Sequence, residues 1–143
     1  MFDPSRCAFT EGSVAIPQGY SDRTVNVLLS ADSDAPSINI SRDTQQSGES
    51  LADYITRQLD TLSSGLKGWA LKSRQPVTLG REALAGEKIV ASYLRDGRRI
   101  WQHQAVFTPG EGHILVFTLA HTQKLTERDE HLFQQILHSF EPV

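Results

Sequence analysis

Ser37-Ile38-Asn39-Ile40-Ser41-Arg42-Asp43 is the stretch on which the reading of this chain turns. Ile38 and Ile40 alternate with Ser37, Asn39 and Ser41, the period-two pattern of a strand whose sides meet different surroundings. The isoleucines belong to a core. The short uncharged groups form a mildly polar row on the other side. Beyond Asp43, a loop with Gly and Ser leads into the strongest helical pattern of the chain. Ser50 reads as an N-cap with Asp53 three residues on, a variant of the capping box. The helix is predicted over about residues 51–66, with Leu51, Ile55, Leu59, Leu62 and Leu66 on one apolar stripe. Gln58 falls inside that stripe, so it either finds a partner or reaches water from the stripe's edge.

Before this strand, residues 7–16 read as one or two short strands broken at Glu11-Gly12. Pro17-Gln18-Gly19-Tyr20 reads as a turn, and Thr24–Leu29 as a strand with Val25, Val27 and Leu29 on one side. After the helix, an antiparallel meander is predicted: 69–79 (irregular around Pro76), 85–95, 98–108 and 113–121. Asp96-Gly97 is its strongest hairpin signal, because both residues tolerate positive φ. Thr126, with Asp129 three residues on, caps a last helix over about 127–139. Leu132, Phe133, Ile136, Leu137 and Phe140 form its buried face. Two helices with hairpin-connected strands make an α+β class, and 143 residues with 38% hydrophobic content fit one domain over 1–143.

Strand parity separates two sheet faces. Ile38, Ile40, Ala105, Phe107, Leu115, Phe117 and Leu119 form an apolar face on which the helices can pack. On the opposite face lie Val25, Val27, Ser37, Asn39, Ser41, Gln102, Gln104 and Val106, followed by Ile114, Val116 and Thr118. That second set holds no acid or base. A face meant for water would carry Lys and Glu, and one covered by a helix would be more apolar.

The net charge of −3, with scattered Lys and Arg, argues against nucleic acid as a partner. Cys7 is the only cysteine, so no intrachain disulfide and no Cys-rich zinc site can form. The start, Met1-Phe2-Asp3-Pro4-Ser5-Arg6, lacks a signal-peptide pattern. No run approaches the roughly 20 apolar residues of a membrane span. A cytoplasmic location without membrane insertion is therefore expected.

No phosphate loop, Walker motif or nucleophile elbow is present. His103, between Gln102 and Gln104, reads as a satisfied or surface histidine. His131 and His138 are two helical turns apart, too far for one metal. Glu127, Asp129 and Glu130 suit the first turn of a helix. Arg42-Asp43 reads as a local ion pair or turn, and Arg98-Arg99 as solvent-facing. Nothing meets the geometric demands of catalysis, so neither enzyme activity nor a cofactor is expected.

Several segments together resemble the DcrB-related family: Ile16-Pro17 with Tyr20, Asp22–Asn26, Ser37–Asp43, and Leu51-Ala52-Asp53-Tyr54 with Arg57-Gln58-Leu59. Within it, the chain is similar to the cytoplasmic Eag chaperones of bacterial type VI secretion, from about residue 8 to 142. The resemblance implies a PsbP-like fold, an antiparallel, strongly curved sheet flanked by helices. It also implies a homodimer that shields the N-terminal transmembrane helices of secreted effectors, often Rhs-type proteins with a PAAR domain. Contact with the spike protein would run through the effector. The family's groove positions would fall on Val25, Ser37, Asn39, Ser41, Gln58, Leu66 and Gln102. Asn39 departs from the apolar residue expected there. Parity, not the resemblance, adds Val27, Gln104 and Val106. The competing readings are a scaffold or adaptor working through its edges, and a small hydrophobic-ligand-binding domain.

Overall fold

A computed structural model describes residues 3–143. In chain order the elements are β1 (Arg6–Phe9), β2 (Gly12–Ala15), β3 (Asn26–Leu28), β4 (Ser37–Thr44), α1 (Leu51–Gly65), β5 (Ala70–Leu79), β6 (Leu84–Arg95), β7 (Arg98–Phe107), β8 (His113–His121) and α2 (Glu127–His138). The β1–β2 hairpin is a two-stranded sheet of its own. The other strands form one antiparallel sheet in the order β3-β4-β8-β7-β6-β5. The α+β class is thus observed, with both helices close to their predicted bounds.

The path follows from the connections. Strand β4 hands the chain to α1, which carries it to the far edge, β5. The meander then returns strand by strand until β8 pairs with β4. Asp96 and Gly97 both have positive φ, 52° and 77°, as a two-residue primed hairpin turn requires. The irregularity expected at Pro76 lies elsewhere. Pro76 pairs in register with Glu87, and the register shift falls between Leu71 and Ser73. Strand β5 is an edge, so the missing proline N–H need leave no partner unpaired.

The two helices cap differently. Ser50 accepts a hydrogen bond from the Asp53 N–H at 3.1 Å. Thr126 and Asp129 form a complete, reciprocal capping box.

Helix α2 packs on the predicted apolar face. Phe133 and Leu137 are fully buried against Ile38, Ala105, Phe107, Phe117 and Leu119. Leu132, expected in that buried face, stands 36% exposed. The Phe107 ring packs edge-on to Phe117 and lies where a Cβ on Gly86 would be.

Helix α1 departs from expectation by packing on the opposite face. Tyr54 and Ile55 are buried against Ile89, Val106 and Ile114, with Leu51, Leu59 and Val116 beside them. That face is apolar enough at one end to take a helix, although alternation with Gln and Ser concealed this. Arg74 fastens the helix from the β5 side, donating to the Ala52 carbonyl and Thr56 Oγ1, both at 2.9 Å, while paired with Glu87 at 2.5 Å.

His103 is 8% exposed, its ring edge-on to Phe133, and its Nδ1 has no partner. It is therefore neither on the surface nor fully satisfied. Burial is the main cause holding its pKa below the ordinary histidine value, helped by nearby Lys88. Lys88 itself is buried and paired with Glu130 at 2.6 Å. Arg99, expected in solvent, instead donates to the Gly68 carbonyl and to Ser92.

Candidate functional site

Because α1 covers only part of the second face, an open groove of about 320 Å³ remains between the helix and the β3–β4 edge. Its helix wall is Tyr54, Gln58 and Leu62, spaced one turn apart as a single flank must be. Its floor is Ser41, Val116 and Val106 in one row of cross-strand neighbours, then Thr118 and Gln104 in the next. Val25 and Arg23 close the outer side.

Of the residues singled out in the sequence, Val25, Ser41, Gln58, Gln104 and Val106 line this groove together. Register extends its floor. Val27 pairs with Asn39, which pairs with Thr118, itself opposite Gln104. One row further, Ser37 pairs with Ala120, opposite Gln102. Gln102 is 6% exposed, so it is more enclosed than its neighbour Gln104. Leu66 is half-buried and caps the far end of α1. Gln58 is half-buried and faces the groove, which settles the two readings left open for it in favour of an edge that borders a cleft.

Sequence reasoning missed Tyr54 and Asp43 at the mouth of the groove. The Tyr54 hydroxyl donates to Asp43 at 2.7 Å, joining α1 to β4. Asp43 also accepts from the Thr44 N–H at 2.8 Å and from Arg23 at 3.2 Å. Burial alone would raise the Asp43 pKa, but these hydrogen bonds together with Arg23 outweigh it and bring it below the usual value. Burial and the same carboxylate push the Tyr54 hydroxyl well up. Arg57 stacks over the Tyr54 ring at 5.2 Å and pairs with Glu49 through two contacts, 2.7 and 2.9 Å. That pairing holds the Glu49 carboxyl down at about 2. The signal available in the sequence was the Leu51–Tyr54 spacing, which sets the ring at the border of the apolar stripe.

Arg42 and Asp43 do not pair with each other. Arg42 turns to the opposite side and donates to Asn26 at 2.6 Å. Among the described residues no group of three His, Cys, Asp or Glu side chains is placed to hold a metal ion. No helix among them is long and apolar enough to cross a membrane. Chemically, the groove offers valines, hydroxyls and carboxamides along an open trough, with charge gathered at one end.

A protein of Pseudomonas aeruginosa named Effector EagT6 is 27% identical over 135 residues, covering 92% of each chain. The crystal structure of PA94, a protein of unknown function from Pseudomonas aeruginosa, superposes with a TM-score of 0.74 at 26% identity over 96% of each chain. The solution structure of cyanobacterial PsbP (CyanoP) from Synechocystis sp. PCC 6803 gives a TM-score of 0.47 at 12% identity, over 92% of this chain and 85% of that one. The DcrB family model matches residues 11–139, nearly the whole described sheet and both helices, and the chain belongs to the DcrB family.

Proposed function

We propose that this protein is a non-catalytic cytoplasmic chaperone and adaptor for a type VI secretion effector. It binds and shields the N-terminal transmembrane helices of a PAAR- or Rhs-type effector and helps load that effector on the secretion apparatus. The observation that carries this reading is the groove beside α1, where valines alternate with Ser41, Thr118, Gln104 and Gln58. The relationship to Effector EagT6 over 92% of the chain supplies the class of partner.

The physical fit is direct. A membrane helix in water exposes apolar surface worth about 25 cal/mol per Å², and Val25 and Val116 can cover part of it. Membrane helices also associate through small residues and interhelical hydrogen bonds. Hydroxyls and carboxamides reproduce those contacts without burying a charge. A small-ligand site is the weaker reading, because the groove sits at the low end of ligand-pocket volumes and is open along its side.

One groove covers only one side of a helix, so a dimer is part of the proposal. Its N-terminal half leaves apolar surface uncovered: Phe9, Val14 and Leu28 are each about half exposed, at 49%, 53% and 49%. Those same edges favour the adaptor role.

Co-purification tests the reading. An effector's N-terminal membrane segments fused to a soluble carrier should co-purify with the wild-type protein. Ser41→Arg and Gln104→Glu should abolish capture while circular dichroism and urea midpoints stay native. Retention of the carrier by both folded variants would overturn the groove assignment.

A further inference from the structure

The floor of the groove changes in side-chain size along its length. On the α1 side of β8 the residues run Ile114, Val116, Thr118 and Ala120, shrinking from Ile through Val and its near-isostere Thr to Ala. Their partners on β4 are Asp43, Ser41, Asn39 and Ser37. The row farthest from Asp43 is therefore floored by Ser37 beside Ala120. Ile114 is buried under α1, whereas Ser37 and Ala120 are only half-buried.

That hollow has walls. On the inner side Gln102 sits opposite Ala120. It is 6% exposed, and its carboxamide makes no hydrogen bond among the described residues. The end of α1 is held over the same end of the sheet. Its anchor is the Leu94 N–H, which donates to the Lys67 carbonyl at 2.7 Å, and Leu94 follows shortly after Ala91, the partner of Gln102. An apolar lip follows the outer side. Val25 lines the groove, Val27 pairs with Asn39, and both are about half exposed, with Leu29 next and more exposed still.

We propose that the groove selects its client by side-chain size: the membrane helix presents small residues to Val116 and one large apolar side chain, such as Phe, over Ala120 and Ser37. This rests on the client reading above and adds a size requirement to it. A helix has even thickness, and the floor falls away beneath it. At the Val116 end, Gly, Ala or Ser on the client lets its backbone approach closely. At the Ala120 end the same small residues would leave a gap that forfeits dispersion contacts, and a large side chain fills it. The floor from Asp43 to Ser37 is about 20 Å long and a membrane helix about 30 Å, so one client spans both ends.

A pair of probes tests the requirement. Each is a soluble carrier preceded by one membrane segment of about 20 Ala, Gly and Val residues, and in the second probe one central Val is replaced by Phe. Wild-type protein should bind the Phe probe about tenfold more tightly, measured by biolayer interferometry. Ala120→Leu fills the hollow and should weaken the Phe probe to the affinity of the Val probe. Ser37→Leu fills it from β4 and serves if Ala120→Leu does not fold. Equal affinities in the wild type, or a Phe preference that survives in the folded variants, overturn the size requirement and leave the groove as the client site. Folded variants that lose both probes alike also overturn it, because a filled hollow leaves the rest of the groove open. Wild-type protein that binds neither probe overturns the size requirement and the client reading together.

Discussion

Tyr54→Phe isolates the bond that closes the groove's mouth. The ring, 4% exposed, stays where it is, so no cavity forms and only the hydroxyl is removed. What is lost is a 2.7 Å hydrogen bond to the Asp43 carboxylate. Hydrogen bonds to charged groups contribute about 1.5–3 kcal/mol. Asp43 keeps the Thr44 N–H and Arg23, and its side chain is 26% exposed, so water can replace part of the bond. The expected destabilisation is therefore about 1–2 kcal/mol at pH 7, near the lower end of that range. In urea this lowers the midpoint by about 0.5–1 M. The effect has a pH signature. The folded-state pKa of Asp43 lies below 3.8, so its stabilisation is present above pH 3.8 and is lost as the pH falls through the lowered value. The gap between wild type and variant should narrow as the pH is taken below 3.8. A variant as stable as wild type at pH 7, or a gap that shows no narrowing as the pH falls through the acid range in a still cooperative transition, would refute the role given to this bond.

Phe133→Ala removes a fully buried ring from beneath α2 and should cost about 3–5 kcal/mol, measured by chemical denaturation. Gly86→Ala would drive a methyl into the Val106 carbonyl oxygen and the Phe107 ring, so it should destabilise by about 2–3 kcal/mol or more. Gly12→Ala, with open space around it, should change stability by about 0.5 kcal/mol or less. His103 has a folded pKa below the unfolded 6.5, so the unfolded chain takes up its proton first. Stability should then be level above pH 7 and fall as the pH drops from 6.5. His103→Gln should remove that part of the fall. Paired Phe9→Asp and Leu28→Lys changes should shift sedimentation towards a monomer.

The architecture was legible where local chemistry decides it. Asp96-Gly97 and the two capped helix starts were readable because each depends on a few neighbouring residues. The Ser37–Asp43 alternation correctly separated two faces. Which helix covers which face was not readable from period alone. Val106, Ile114 and Val116 are diluted by Gln104 and Thr118, and only the folded register gathers them with Ile89 under α1. The bulge in β5 escaped for a related reason: Pro76 carries a visible signal, whereas the shift beside Lys72 is imposed by long-range pairing. The charged mouth of the groove also depends on folding. Asp43, Tyr54 and Arg23 meet only once β4 and α1 have docked. Buried His103 was misread because alternation places a residue on a face and does not say what a helix from the end of the chain will lay over it.

Hydrogen–deuterium exchange with and without a carrier-fused membrane segment tests the central claim most directly. Saturating client should slow exchange in residues 24–29 and 51–66, the outer side and helix wall of the groove, and leave residues 127–138 of α2 unchanged. Slowing confined to α2 or β5, or no change anywhere at saturation, would contradict a client seated beside α1.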